Sequence, residues 1–243
     1  MSLWSGLKSL GLLELLVYAP EYSAELIRHR LDRFDRVHGT DTNTSVAVGD
    51  LAGIGANQQS AELYWPIRAK PFERMMAASG RDLQPYTFID LGAGKGRALL
   101  LATDFPFQRL IGVEFSPALC EVARWNLRLF AERGRPLAAH AEIACADACS
   151  YVFPEGPLLV FLFDPFGPEV LRPVIANLVA SLERVPRPCV IAYYLPMHED
   201  LFRDAGFVPI ARQRRGLHLA YPWVVLQRPV PISLDSVAAR ALG

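Results

Sequence analysis

The stretch Phe88-Ile89-Asp90-Leu91-Gly92-Ala93-Gly94-Lys95-Gly96-Arg97 limits the possible folds more than any other part of this sequence. An apolar run ends in an acid and passes into three glycines spaced two apart. Glycine adopts backbone conformations that a Cβ forbids, and it lets a ligand approach the chain closely. A strand that turns so sharply into a helix brings the helix's free N–H groups and the positive end of its dipole to one place. Lys95 and Arg97 are electrostatically misplaced at such a helix start, which points to other charges nearby, such as Asp90 or a ligand carboxylate. A second acid, Glu114, closes the next apolar run about twenty residues further on, where a carboxylate grips ribose hydroxyls in βαβ units. Together the two features indicate an adenosine-type cofactor. The competing reading is a tight turn followed by a strand-end acid that caps a helix.

The spacing also separates cofactors. Dinucleotide sites read Gly-x-Gly-x-x-Gly. Here Arg97 takes the position of the last glycine, Gly96 comes one residue early, and an acid stands two residues before the first glycine. Asp90 would accept hydrogen bonds close to a methionine ammonium, so the pattern favours S-adenosylmethionine over NAD.

From Tyr86 onward strands and helices alternate. Thr87–Leu91 reads as a strand, followed by a helix to about Asp104. Arg109–Glu114 is a second strand, and Ser116 and Pro117 open a helix as N-cap and first helical residue. Ala139–Ala146 is a third strand. Leu158–Phe163 is a wholly apolar fourth strand suited to a sheet centre. A helix from Glu169 to about Glu183, a strand over Cys189–Tyr194 and a short helix over Glu199–Ala205 follow. Phe207–Ala211 and His218–Leu226 are joined too closely for a parallel crossover, so they are expected as an antiparallel hairpin. The expected fold is therefore α/β: a doubly wound, seven-stranded, mostly parallel sheet with a terminal antiparallel hairpin, spanning residues 86–243.

Residues 1–85 read as a separate segment of helices and loops. Apolar residues recur at helical spacing from Leu3 to Val17. A second helix is expected from Glu21 to about Val37, with Leu26, Ile27, Leu31 and Phe34 on one face. Gly39–Asn57 is polar and glycine-rich, a long loop of the kind that often carries function. Ile67–Ala78 reads as a helix stopped by Gly80.

The chain of 243 residues is 51% hydrophobic, enough for a large core, and its 25 basic and 25 acidic residues balance. Zero net charge gives no general attraction to nucleic acid, and the short run Arg212, Arg214 and Arg215 reads as a solvated loop. Cys120, Cys145, Cys149 and Cys189 form no CxxC pair, so they are taken as buried thiols in a reducing cytoplasm with no metal. No apolar run reaches membrane-spanning length. The N-terminal helix is expected to pack on its own domain or on a partner subunit, which makes it a candidate homo-oligomer interface; lying on a membrane surface is the alternative.

Phe88 to Gly96, then Gly112-Val113-Glu114, then Asp147-Ala148, resemble the successive cofactor motifs of class I S-adenosylmethionine-dependent methyltransferases, whose sheet has the same βα series. The resemblance implies that Asp90, Gly92, Ala93, Gly94 and Gly96 line the methionine end, that Glu114 holds the ribose, that Phe115 flanks the adenine, and that Asp147 with Ala148 approaches its amino group. The run Phe163-Asp164-Pro165-Phe166-Gly167-Pro168-Glu169-Val170 resembles in part the Asn/Asp-Pro-Pro-aromatic motif of amino-methylating members. It is also similar to the equivalent loop of non-SET histone-lysine methyltransferases, which carry Asn near the position of Asp164. Phe34-Asp35-Arg36, Gly39-Thr40-Asp41-Thr42 and Tyr64-Trp65-Pro66 resemble a group of bacterial methyltransferase-like proteins, with Ile67 where a hydroxyl residue is usual.

By that resemblance Asp164, Pro165 and Phe166 orient a substrate nitrogen, while Tyr64 and the Asp41–Thr42 loop close over the cofactor. The simpler alternative is that Asp164 N-caps the next helix and Phe166 packs in the core. The expected activity is methylation of a protein amine such as lysine. A small molecule or a nucleic-acid base is the alternative substrate, and a non-catalytic cofactor-binding protein or a nicotinamide-dependent oxidoreductase is the rival of another class.

Overall fold

Five apolar strands separated by helices have one economical arrangement, a parallel sheet with helices on both faces. The computed structural model describes residues 27, 31–43, 66–134, 141–214 and 221–229. In chain order its elements are α1 (Phe34–His38), α2 (Ala69–Ala78), β1 (Thr87–Leu91), α3 (Arg97–Ala102), β2 (Arg109–Glu114), α4 (Pro117–Glu132), β3 (Ala141–Cys145), β4 (Leu158–Phe163), α5 (Pro168–Arg184), β5 (Cys189–Tyr194), α6 (Glu199–Asp204), β6 (Val208–Gln213) and β7 (Trp223–Arg228). The sheet has seven strands in the order β3-β2-β1-β4-β5-β7-β6. β1 to β5 pair in parallel. β7 runs antiparallel to both β5 and β6, so the expected terminal hairpin is present, with the later strand on the inside.

The alternation of side chains along each strand divides the core in two. On one face Phe88, Leu110, Leu159, Phe161, Ala192 and Val225 pack against α2, α3 and α4. On the other, Ile89, Ile111, Val160, Ile191 and Val224 pack against α5 and α6. Residues 66–85, grouped with the N-terminal segment in the sequence, supply Ile67, Phe72, Met75, Met76 and Leu83 to the first of these cores.

After β1 the chain winds outward to β2 and β3, then returns to lay β4 on the other side of β1. The boundary between β1 and β4 is thus the topological switch point, and the crevice beyond the carboxyl ends of those strands is where such sheets bind ligands. Asp90 and Gly92 lie at the end of β1, and Asp164 to Phe166 at the end of β4.

One expected helix is broken. Within Glu21–Val37, Asp32 and Arg33 are not helical, and a new short helix starts at Phe34. The physical reason is local: the Asp32 carboxylate accepts the backbone N–H of Phe34 at 2.8 Å, an interaction that competes with helix continuation. Leu31, placed on one apolar face of that helix, is 71% exposed. The N-terminal helix Leu3–Val17, the loop beyond Asn43, and Tyr64 with Trp65 lie outside the described residues. Among the described residues no helix is long and apolar enough to cross a membrane, and no cluster of residues suits a metal ion.

Candidate active site

The glycine turn is built against β2. The N–H groups of Gly92 and Ala93 both donate to the Val113 carbonyl, at 2.9 and 3.1 Å, and the N–H of Gly96 donates to the Ala93 carbonyl at 2.8 Å. Gly92 has φ 76°, in the left-handed region that favours glycine. A Cβ on it would fall 2.6 Å from Pro165 Cβ. Only a residue without a side chain therefore lets the β1 turn and the β4 loop meet. Gly112, beneath the turn, is equally constrained, since a Cβ there would lie 2.8 Å from Ala93 Cβ.

Two acids face this turn. Glu114 is buried at the end of β2, where its Oε2 accepts the N–H of Gly94 and its Oε1 the N–H of Ser116, each at 2.9 Å. Burial raises its pKa, partly offset by these N–H groups. Its oxygens keep lone pairs for two more donors, which suits vicinal hydroxyls. Asp90 is only 4% exposed, and no hydrogen bond reaches its carboxylate among the described residues. Burial first, and the charge of Glu114 second, push its pKa up to about 8. Phe115 follows with its ring half-buried. Beyond β3, Asp147 accepts the N–H of Cys149 at 2.9 Å, and Ala148 is buried in the core under α5.

The loop after β4 is strained. Asp164 has φ 37°, rare for a residue with a Cβ and a feature that concentrates at functional sites. Its Oδ1 accepts the hydroxyl of the buried Tyr193, from β5, at 2.6 Å. It does not cap α5: the N-cap is Gly167, with no side-chain bond. Phe166 does pack, half-buried, against the core of that face, so the simpler reading holds for Phe166 and fails for Asp164. Beside Asp164, the rings of Phe163 and Tyr194 meet edge-on at 4.8 Å and those of Tyr194 and Tyr221 at 5.9 Å, an aromatic wall at the ends of β4 and β5.

The charges expected near Lys95 and Arg97 are present, but they come from residues 32–41 rather than from Asp90. Lys95 is paired with Asp41 at 2.9 Å. Arg97 donates to Asp32 at 2.8 Å and to the Thr42 hydroxyl at 2.5 Å, has Asp35 at 3.6 Å, and stacks its guanidinium 4.0 Å over the Phe34 ring. Of Asp41 and Thr42, both expected over the cofactor, Asp41 is thus engaged with Lys95, and the Thr42 hydroxyl is fully buried between Asp35 and Arg97.

Four residues of this assembly carry no assignment from the sequence: Asp32, Asp35, Asn126 and Tyr193. Asn126 had a readable signal. It is a polar residue on the apolar face of α4, and its amide joins the carbonyls of Lys95 and Asp41 at 2.9 and 3.0 Å. Tyr193 had none, because a tyrosine in an apolar strand reads as core.

Fold and site define a doubly wound, Rossmann-like α/β protein with an acid-flanked glycine turn at its switch point. No protein-family model matches the sequence, and no curated protein matches it. Solved structures similar to it include an RNA methyltransferase from Salinibacter ruber in complex with S-adenosyl-L-homocysteine (20% identity, 70% of this chain and 96% of that one, TM-score 0.47). An S-adenosylmethionine-dependent methyltransferase from Aquifex aeolicus (14%, 66% and 90%, 0.48) and a TehB-like one from Corynebacterium glutamicum (14%, 65% and 88%, 0.46) are also similar. At these identities the likeness is one of fold.

Proposed function

We propose that this chain transfers a methyl group from S-adenosylmethionine to a nitrogen nucleophile. The observation that supports it most is Asp90, a buried carboxyl beside the glycine turn with no hydrogen-bond partner among the described residues. Such a group is costly to ionise unless a cation arrives. The ammonium of a bound methionine moiety is such a cation. A dinucleotide pyrophosphate would be repelled there, and the two cations of the turn, Lys95 and Arg97, are already paired with acids. The nicotinamide reading is disfavoured on that ground.

S-adenosylmethionine supplies a methyl group already activated on a cationic sulfur, so the protein's contribution is chiefly positioning. In this reading Asp90 binds the ammonium, and Glu114 keeps its two backbone donors while accepting ribose hydroxyls. Phe115 and Asp147 flank the adenine, as the resemblance implies. Asp164, fixed by Tyr193, accepts an N–H of the methyl acceptor and aims its lone pair. The half-buried ring of Phe166, beside Gly92 of the glycine turn, offers a cationic centre its π face. An amine of this kind on a protein, such as lysine, is the first choice of substrate, and a small molecule or a base is the second.

Calorimetric titration with S-adenosylmethionine, S-adenosylhomocysteine and NAD tests the cofactor. Micromolar affinity for the adenosyl compounds, about −8 kcal/mol, is expected. Asp90→Asn should weaken it by about ten- to hundredfold, the loss of a charged hydrogen bond of roughly 1.5–3 kcal/mol. Because Asp90 is largely protonated at neutral pH when empty, binding at pH 7 should release a proton, seen as a heat that varies with the buffer's ionisation enthalpy. Binding of NAD alone would sink the proposal. Radiolabelled methyl transfer into fractionated cell extract tests the substrate, and label confined to small molecules removes the protein amine.

A further inference from the structure

We propose that Arg97 is a positioning residue for the adenosyl cofactor, acting through a strap, residues 32–43, whose docked state and the binding-competent glycine turn are one and the same. The inference rests on the proposed cofactor, and its test separates the two.

Charge burial is the starting point. Lys95 and Arg97 belong to the turn and to the first residue of α3, and they are 3% and 2% exposed. Two buried cations at the positive end of a helix are unfavourable without counterions. Among the described residues the carboxylates that meet them, Asp32, Asp35 and Asp41, all come from the strap. Undocking the strap would leave both cations unpaired, and the turn would have to open to hydrate them.

The strap is itself organised by one carboxylate. Asp35 accepts the hydroxyls of Thr40 and Thr42 at 2.7 and 2.6 Å, and the backbone N–H groups of Thr42 and Asn43 at 2.9 and 2.7 Å. This closes residues 35–43 into a loop that presents the Thr42 oxygen to Arg97 Nε. A second, independent clamp is Asn126. It accepts the N–H of Asp41 at 2.8 Å, and its amide donates to the Asp41 and Lys95 carbonyls, so one buried side chain of α4 holds strap and turn together. With the strap docked, three acids meet two cations.

Binding and docking should then be coupled in both directions, as linkage requires. The test compares the full chain with Thr42→Val, Asp35→Asn and Arg97→Lys, each first checked for its fold by circular dichroism. S-adenosylhomocysteine is titrated by calorimetry, and hydrogen exchange is followed in peptides covering residues 40–43 with and without it. Thr42→Val removes one hydroxyl at constant shape and serves where the charge variants fail to fold. Expected is at least a tenfold loss of affinity in the folded variants, together with a ligand-dependent slowing of exchange at residues 40–43 that wild type shows and the variants lack. A merely structural role would lower stability but leave the variants' affinity at the wild-type level. Folded variants with wild-type affinity, or wild-type exchange at 40–43 indifferent to the ligand, overturn the strap while the cofactor reading stands. A wild-type protein that binds no adenosyl compound overturns both.

Discussion

A largely buried carboxyl with no hydrogen-bond partner among the described residues is a titrating group, and Asp90 makes the stability of the empty protein depend on pH. Its pKa in the fold, about 8, lies above the ordinary value of 3.8. The fold therefore binds this proton more tightly than the unfolded chain does. That contribution is fully present below about pH 4 and is lost as pH rises through about 8. The Glu114 shift has the same sign. Urea denaturation of the ligand-free protein between pH 5 and pH 8.5 should show the midpoint falling, and Asp90→Asn should flatten the fall. A wild-type midpoint indifferent to pH would mean that Asp90 is hydrated. The residue's place was legible in the sequence, because an acid ending an apolar strand before glycines has few other uses. Its lack of a hydrogen-bond partner among the described residues was not, since that depends on which side chains of other elements fail to reach it.

The glycine turn and the β4 loop form a joint with no room in it. Gly92→Ala would place a methyl group 2.6 Å from Pro165 Cβ on a backbone at φ 76°. Proline cannot rotate away, so crowding and left-handed strain together should cost roughly 2–4 kcal/mol. A thermal melt would show the loss, and titration with S-adenosylhomocysteine should show none of the wild-type affinity; an alanine variant with the wild-type melting point would mean that the joint opens easily. Strand boundaries were legible where apolar runs meet turn residues, as in β1, β2, β4 and β5, which match the expected ranges. The helix from Glu21 was misread because the Asp32 carboxylate competes locally for the Phe34 N–H, and helical periodicity does not register such competition. The strap was marked as motifs in the sequence, but its pairing with the glycine turn was not legible, for a related reason. Its value lies in pairing across more than fifty residues of chain, from Asp41 to Lys95, and nothing near Asp35 in the sequence announces Arg97.

At the scale of the whole molecule, the sheet depends on the chain that precedes it. Phe72 of α2 is fully buried and meets Phe88, Phe105 and Phe161 edge-on at 5.7, 5.9 and 5.6 Å. Phe72→Ala should cost about 3–5 kcal/mol in urea denaturation, and a cost under about 1 kcal/mol would mean that α2 is an appendage. The placing of β7 has a different consequence, in time. β5 waits for its second neighbour until Trp223–Arg228 has been synthesised, and β6, made earlier, pairs among the described strands with β7 alone. A ribosome adding ~5–20 residues per second leaves the open edge of β5 uncovered for roughly a few seconds on every chain. Cys189–Tyr194 is buried along its whole length in the finished protein, and an unpaired apolar edge is a template for aggregation. β7 is thus the keystone of this side of the sheet, and the newborn chain carries an exposed apolar edge until that strand arrives.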